Sequence, residues 1–300
     1  MHLKQILELI KKSVTAWADD HVPSMGAAIA YYTLFAITPL LIIAIAVAGL
    51  VFGQAAARGE IIDQTRDLIG QEGAIAVQGL LKSVNEPAHG MLAIAGSVIT
   101  MIIGATSVFG ELQRDLDRIW RVSVPAQESG LWHLLRTRLL SFGLVLGAGF
   151  LLLLSLISSA AIAAFSKWFS GQFASWVVIL QALDLSISFA IMMILFALIY
   201  KFIPRATIAW RDVWIGAAVT AFLFAIGKFL IGLYLGKAGV ASGFGAAGSL
   251  VILMLWVYFG AQIFLLGAEF TRVYSTTYGS KAAQGTEREP DGTMQFNRHD

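Results

Sequence analysis

Residues 177–200 read VVILQALDLSISFAIMMILFALIY, an apolar run in which Asp184 is the single charged residue. A helix needs ~20 mostly apolar residues to cross a ~30 Å hydrocarbon core, and this run satisfies that length. It lacks the period-two alternation of a membrane β-strand. Working outward, five further stretches qualify: about 29–53, 91–110, 139–164, 213–235 and 248–270. Each is rich in Leu, Ile, Ala, Val, Gly and Phe. The fold class is therefore all-α, a polytopic membrane protein of six transmembrane helices with additional interfacial amphipathic helices. The composition agrees. Of 300 residues 57% are hydrophobic and 13% charged, against ~25% charged in an ordinary globular domain. Mean hydropathy is +0.74, so too little charge remains to clothe a soluble surface.

Basic residues orient the chain. The N-terminal segment carries Lys4, Lys11 and Lys12; residues 111–138 carry Arg114, Arg118, Arg121, Arg136 and Arg138. Lys201, Arg205 and Arg211 follow span four, and Arg272, Lys281, Arg288 and Arg298 follow span six. The alternate loops hold only Arg58, Arg66, Lys82, Lys167 and Lys237. By the positive-inside rule both termini are expected in the cytoplasm. Residues 1–20 contain no continuous apolar core of a signal peptide. Instead Leu3, Ile6, Leu7, Ile10, Val14 and Trp17 share one helical face, which predicts an interfacial helix over 2–18. Loop 54–88 has room for two short amphipathic helices, one around Ile61, Ile62, Thr65, Leu68 and Ile69, another through Val77, Leu80, Leu81 and Val84. Residues 1–275 form one membrane domain, and the polar stretch 276–300 reads as a disordered cytoplasmic tail. Pro39 removes one helical hydrogen bond and is expected to kink the first span near Phe35.

Several chemistries find no support. The absence of cysteine removes disulfides, thiolate zinc and thiol catalysis. His2, His21, His89, His133 and His299 show no ligand spacing, so no metal site is implied. Gly236-Lys237 lacks the flanking glycine and hydroxyl residue of a phosphate-binding loop, because Ile231 and Ala238 occupy those places. The glycines of 236–249 suit flexible or re-entrant backbone instead. No cofactor is implied. A net charge of +2 gives no electrostatic case for a nucleic-acid partner. Small residues four apart, such as Gly96, Thr100 and Gly104, or Gly232 and Gly236, fit close helix packing.

Ionisable groups inside the spans are costly and therefore informative. Asp184 lies ~12 Å from the outer end of span four, and Lys228 ~10 Å from the same surface on span five, at 1.5 Å per residue. Matching depth on consecutive helices makes them a candidate intramembrane polar site, either a structural pair or a site for cargo or protons. At the cytoplasmic ends, Glu111 and Glu269 oppose the helix macrodipole and need cations. Lys201, Arg205 and Arg211 are candidates for that clasp, with Arg205 or Arg211 expected to hold Glu269. Gly110-Glu111 with Arg114, and Glu269 with Arg272, form a faint internal likeness between spans two and six.

Span one reads Gly26-Ala27-Ala28-Ile29-Ala30-Tyr31-Tyr32-Thr33-Leu34-Phe35, then Pro39-Leu40-Leu41. Span four ends in Tyr200-Lys201-Phe202-Ile203-Pro204, before Trp210-Arg211-Asp212 and Gly216-Ala217. The last span holds Trp256-Val257-Tyr258 and Leu266-Gly267-Ala268-Glu269-Phe270. In this order the motifs resemble the YihY / virulence factor BrkB family of bacterial inner-membrane proteins, over about residues 10–275. The resemblance implies the bacterial inner membrane. It supplies no catalytic residues, and the family's old label, ribonuclease BN, is regarded as a misassignment. The expected function is transporter-like or lipid-handling and not enzymatic, with membrane lipids and a small-molecule or lipid cargo as partners. The alternative is a non-transporting scaffold for envelope proteins. A nuclease would have to draw on Glu111, Asp115, Asp117, Glu128 and His133, which form no recognisable constellation.

Overall fold

The computed structural model describes residues 3–36, 73–79, 107–122, 174–237 and 247–282, together with positions 53, 59, 62, 63, 66, 71 and 244. All regular structure among them is helical. Helix α1 is Leu3–Asp19, α2 is Val22–Ala36, and α3 covers 107–119. Helices α4 (Ala174–Phe202), α5 (Trp210–Lys237) and α6 (Gly248–Thr277) follow. Three stretches, Ala182–Phe202, Trp210–Lys237 and Leu250–Ala282, are long and apolar enough to cross a membrane. They coincide with the last three spans expected from hydropathy. Of the stretches at 29–53 and 91–110 only 29–36, position 53 and 107–110 are described, and 29–36 and 107–110 are helical. The stretch 139–164 and Pro39 lie outside the described residues.

Helix ends follow local chemistry. Pro204 disfavours helical geometry in the residue before it, so α4 stops at Phe202. Lys201 in its last turn complements the helix dipole and donates to the Ile208 carbonyl of the next loop. Helix α5 starts with Asp212 in its first turn, where a carboxylate favours the dipole. With 28 and 30 residues, α5 and α6 are roughly 42–45 Å long at 1.5 Å per residue. That exceeds a ~30 Å core, so part of each helix stands outside it.

Helix α6 is the hub, packing on α5 and α1, while α5 also packs on α4. In lipid, helices gain little by hiding apolar surface from one another; close backbone approach must supply the contact. Two reciprocal notches supply it here. A β-carbon at Gly216 would run into the Thr271 side chain, and one at Gly267 would run into Thr220. The threonine hydroxyls fold back onto their own helices, Thr220 to the Gly216 carbonyl at 2.7 Å and Thr271 to the Gly267 carbonyl at 2.6 Å. Buried Tyr200 then joins three helices, donating to the Phe264 carbonyl at 2.7 Å and lying 2.9 Å from the Thr220 hydroxyl. Around it Phe196, Phe264, Leu116, Ile119, Val22 and Met25 build one core. At the far end, Ala76 and Val77 of the helical stretch 73–79 are buried against Ile231, Leu235, Ile252 and Leu253.

Helix α1 is amphipathic in two directions. Leu9 and Ser13 turn inward, Leu9 against Val273 and Tyr274 of α6. Ile6, Leu7, Ile10 and Val14 remain 41–60% exposed. The apolar face foreseen from periodicity is thus largely the outward one, and a different stripe makes the protein contact.

Candidate functional site

Charged and polar side chains gather at the end of the bundle where α1 meets α2, α4 meets α5, and α6 terminates. Two backbone turns bring them there. Helix α3 ends in a Schellman turn: Val122 N–H donates to Asp117 O at 2.9 Å and Arg121 N–H to Arg118 O at 3.0 Å. The left-handed position, usually glycine, is Arg121 at φ 54°, and the α1–α2 turn likewise uses His21 at φ 55°. Such residues cost roughly 1–2 kcal/mol in that region. At Arg121 the side chain explains the choice: its guanidinium lies 2.8 Å from Asp20 Oδ1.

Asp20 is 3% exposed and Glu269 fully buried. Glu269 Oε2 accepts from Arg272 Nη2 at 2.9 Å and Nε at 3.1 Å. Asp20 and Glu269 are neighbours, and Asp20 Oδ2 and Glu269 Oε1 are both buried and receive no donor. The expected clasp is accordingly corrected. The cation on Glu269 is Arg272, three residues along its own helix, because an i,i+3 partner is carried into place by the helix itself. Arg205 instead donates its backbone N–H to Asp117 Oδ1 at 2.7 Å, with its Nε 3.7 Å from Oδ2. Gln113 reinforces that junction by donating to the Ile203 carbonyl at 3.1 Å. Lys201 bonds to Ile208 and lies over the Trp210 ring, 5.4 Å from its centroid. Arg211 is exposed. Glu111 pairs with Arg114, so the Glu–Arg spacing shared by spans two and six becomes the same i,i+3 ion pair in both.

Three further carboxylates went unrecognised as buried. Burial holds Asp117 above the ordinary carboxylate range, offset by the Arg205 backbone N–H and guanidinium. Asp115, on α3 beyond the expected end of span two, is 5% exposed. Burial, reinforced by Glu111 and offset by Arg114 and Arg118, raises its carboxyl to about 7. Asp212 is fully buried, and its Oδ2 accepts from Ser275 Oγ at 2.7 Å, Ser280 Oγ at 2.7 Å and Ser280 N at 3.1 Å. Those bonds order residues 276–282, where a disordered tail was expected to begin. One signal in the sequence could have exposed Asp20. Leu9, Ser13 and Ala16 recur at helical spacing on the inward stripe of α1, and Asp20 continues that spacing just past the helix end.

Asp184 on α4 and Lys228 on α5 are both half-buried, and each engages in at least one polar or electrostatic interaction. Among the described residues no three His, Asp or Glu side chains converge as metal ligands would.

Compared with known proteins, residues 13–291 match the virulence factor BrkB family. A UPF0761 membrane protein of Verminephrobacter eiseniae is 29% identical over 273 residues, covering 89% of this chain and 62% of the relative. One from Pseudomonas aeruginosa is 29% identical over 276 residues, with the same coverage. One from Neisseria meningitidis serogroup B is 27% identical over 277 residues, covering 91% and 64%. The chain thus spans a little over six-tenths of these relatives' length. No solved structure matches.

Proposed function

Since the chain belongs to the virulence factor BrkB family, we propose that it is a transporter-like protein of the bacterial inner membrane, not an enzyme, handling a small-molecule or lipid cargo. Six helices span the bilayer and both termini face the cytoplasm. The charged end of the bundle lies on the cytoplasmic side, and α1 rests in the interface with Ile6, Leu7, Ile10 and Val14 among the lipids and Lys4, Lys11 and Lys12 near the headgroups. The observation that carries the transport reading is the half-burial of Asp184 and Lys228 on two apolar helices packed against each other. A short aspartate cannot snorkel to the headgroups as lysine can, so an intramembrane carboxylate needs a partner or a task.

Two measurements test this. The chain contains no cysteine, so single introduced cysteines report topology without background. Cysteines within 111–138, including Pro125→Cys, and within 201–212 should label only from the cytoplasmic side. Labelling of Pro125→Cys from outside would overturn the arrangement. For transport, the full chain is reconstituted in liposomes and assayed for proton flux with an entrapped pH dye and for movement of a fluorescent phosphatidylglycerol. Either flux should exceed that of protein-free liposomes. The Asp184→Asn, Lys228→Met double variant should remain folded, since removing both charges avoids an unpaired one, yet lose the flux. A double variant as active as the parent would assign the two residues a structural role only.

A further inference from the structure

The pair Asp20 and Glu269 presents a problem that ion pairing does not solve. Arg121 holds one oxygen of Asp20, and Arg272 holds one oxygen of Glu269. The other two oxygens, Oδ2 and Oε1, are buried without a donor on side chains that are 3% and 0% exposed. The carboxyls from which they project are neighbours. If both were ionised, two like charges would face each other out of water, each with an unsatisfied acceptor. Among the described residues the surroundings offer no other remedy. On α6 the cation facing the pair is Arg272, and from the end of α3 it is Arg121; both are already engaged by the opposite oxygens. In the α1–α2 turn Asp19 and His21 are exposed. On α5, Asp212 accepts from Ser275 and Ser280, and Lys281 lies over the Trp120 ring. No third carboxylate or imidazole among the described residues completes a metal shell.

A single proton resolves both defects. It neutralises one carboxyl and makes it the donor to the other, a charge-assisted O–H···O⁻ bond of the strong kind. We propose that Asp20 and Glu269 form a proton-binding site, holding one proton between them and thereby fastening the α1–α2 turn to α6. Arg121 and Arg272 stabilise the negative charge that remains on the pair. The site is distinct from the Asp184–Lys228 level and independent of whether the protein transports. Its sign is definite: the proton is present at lower pH, and docking of the turn weakens when rising pH removes it.

Infrared spectroscopy of the full chain in detergent, titrated with pH, tests the site directly. An Asp115→Asn, Asp117→Asn background removes the signals of the two other carboxyls that burial raises. A protonated carboxyl band, sensitive to deuterium exchange, should persist above the pH at which ordinary carboxylates are ionised. Glu269→Gln and Asp20→Asn should each abolish that band, because a proton shared between two carboxyls needs both of them. Glu269→Gln supplies an amide N–H to Asp20 and should keep the fold with a flatter pH profile, whereas Glu269→Ala should not. Absence of the band in the parent at neutral pH overturns the proposal, and that readout needs no variant to fold. Persistence of the band in Asp20→Asn would assign the proton to Glu269 alone and also overturn it. Loss of the band on adding sodium at constant pH would make the site a cation site instead.

Discussion

Replacing Gly267 by leucine is expected to abolish recovery of folded protein. The α5–α6 contact leaves no room for a β-carbon at this position: it would overlap Thr220 and come within 2.7 Å of the Tyr200 hydroxyl. Even alanine should cost about 1–3 kcal/mol, the usual range for overpacking a filled core. A leucine adds branches that no rotamer can place between two helices already in contact. Tyr200 would be displaced from the Phe264 carbonyl, leaving buried polar groups unpaired at roughly 1–3 kcal/mol each. Thermal unfolding and size-exclusion profiles in detergent give the readout. Adding Thr220→Ala to Gly267→Ala should recover part of the loss, since it removes the overlapping hydroxyl and the two residues are in contact. A Gly267→Leu protein as stable as the parent would contradict the packing described.

The second large effect concerns pH. Burial pushes the Asp115 carboxyl up to about 7 in the fold, against ~3.9 for an unperturbed aspartate. Its folded-state proton affinity is raised, so the stabilised form is the protonated one. The stability it contributes is complete below ~4 and is lost as pH rises through about 7. That difference corresponds to at most ~4 kcal/mol. Asp115→Asn keeps the side chain's shape and cannot ionise. The variant should therefore match the parent near pH 4 and exceed it at pH 8 by on the order of 2–4 kcal/mol. Melting temperatures across that range provide the check. Identical pH profiles for both proteins would show that Asp115 titrates normally.

Both predictions rest on features of different legibility. The spans at 177–200, 213–235 and 248–270 were visible in the sequence because membrane insertion depends on a local sum, the hydrophobicity of ~20 consecutive residues. The all-helical character follows from the same local fact, as an isolated apolar segment can satisfy its backbone in lipid only as a helix. Family membership was legible too, through motifs that stand in order along one chain. The outward apolar face of α1 was given by its 3.6-residue period. None of these requires knowing what lies across the bundle.

Partnership was decided only by the tertiary structure. Hydropathy does not fix how a helix is rotated, and rotation determines which cation meets which carboxylate. Arg205 was an equally good candidate for Glu269 until the α4–α5 loop docked on α3 and presented it to Asp117. Arg272 was nearer in sequence all along, and an i,i+3 pair needs no tertiary help. Asp20 is a polar residue just past the end of α1. It is buried because a left-handed His21 turns the chain there and α6 supplies the wall. Gly216 and Gly267 were simply small residues until Thr271 and Thr220 were placed opposite them. Sequence along the chain fixes how far each segment sits in the bilayer; contact across the bundle fixes which buried charge is answered, and by what.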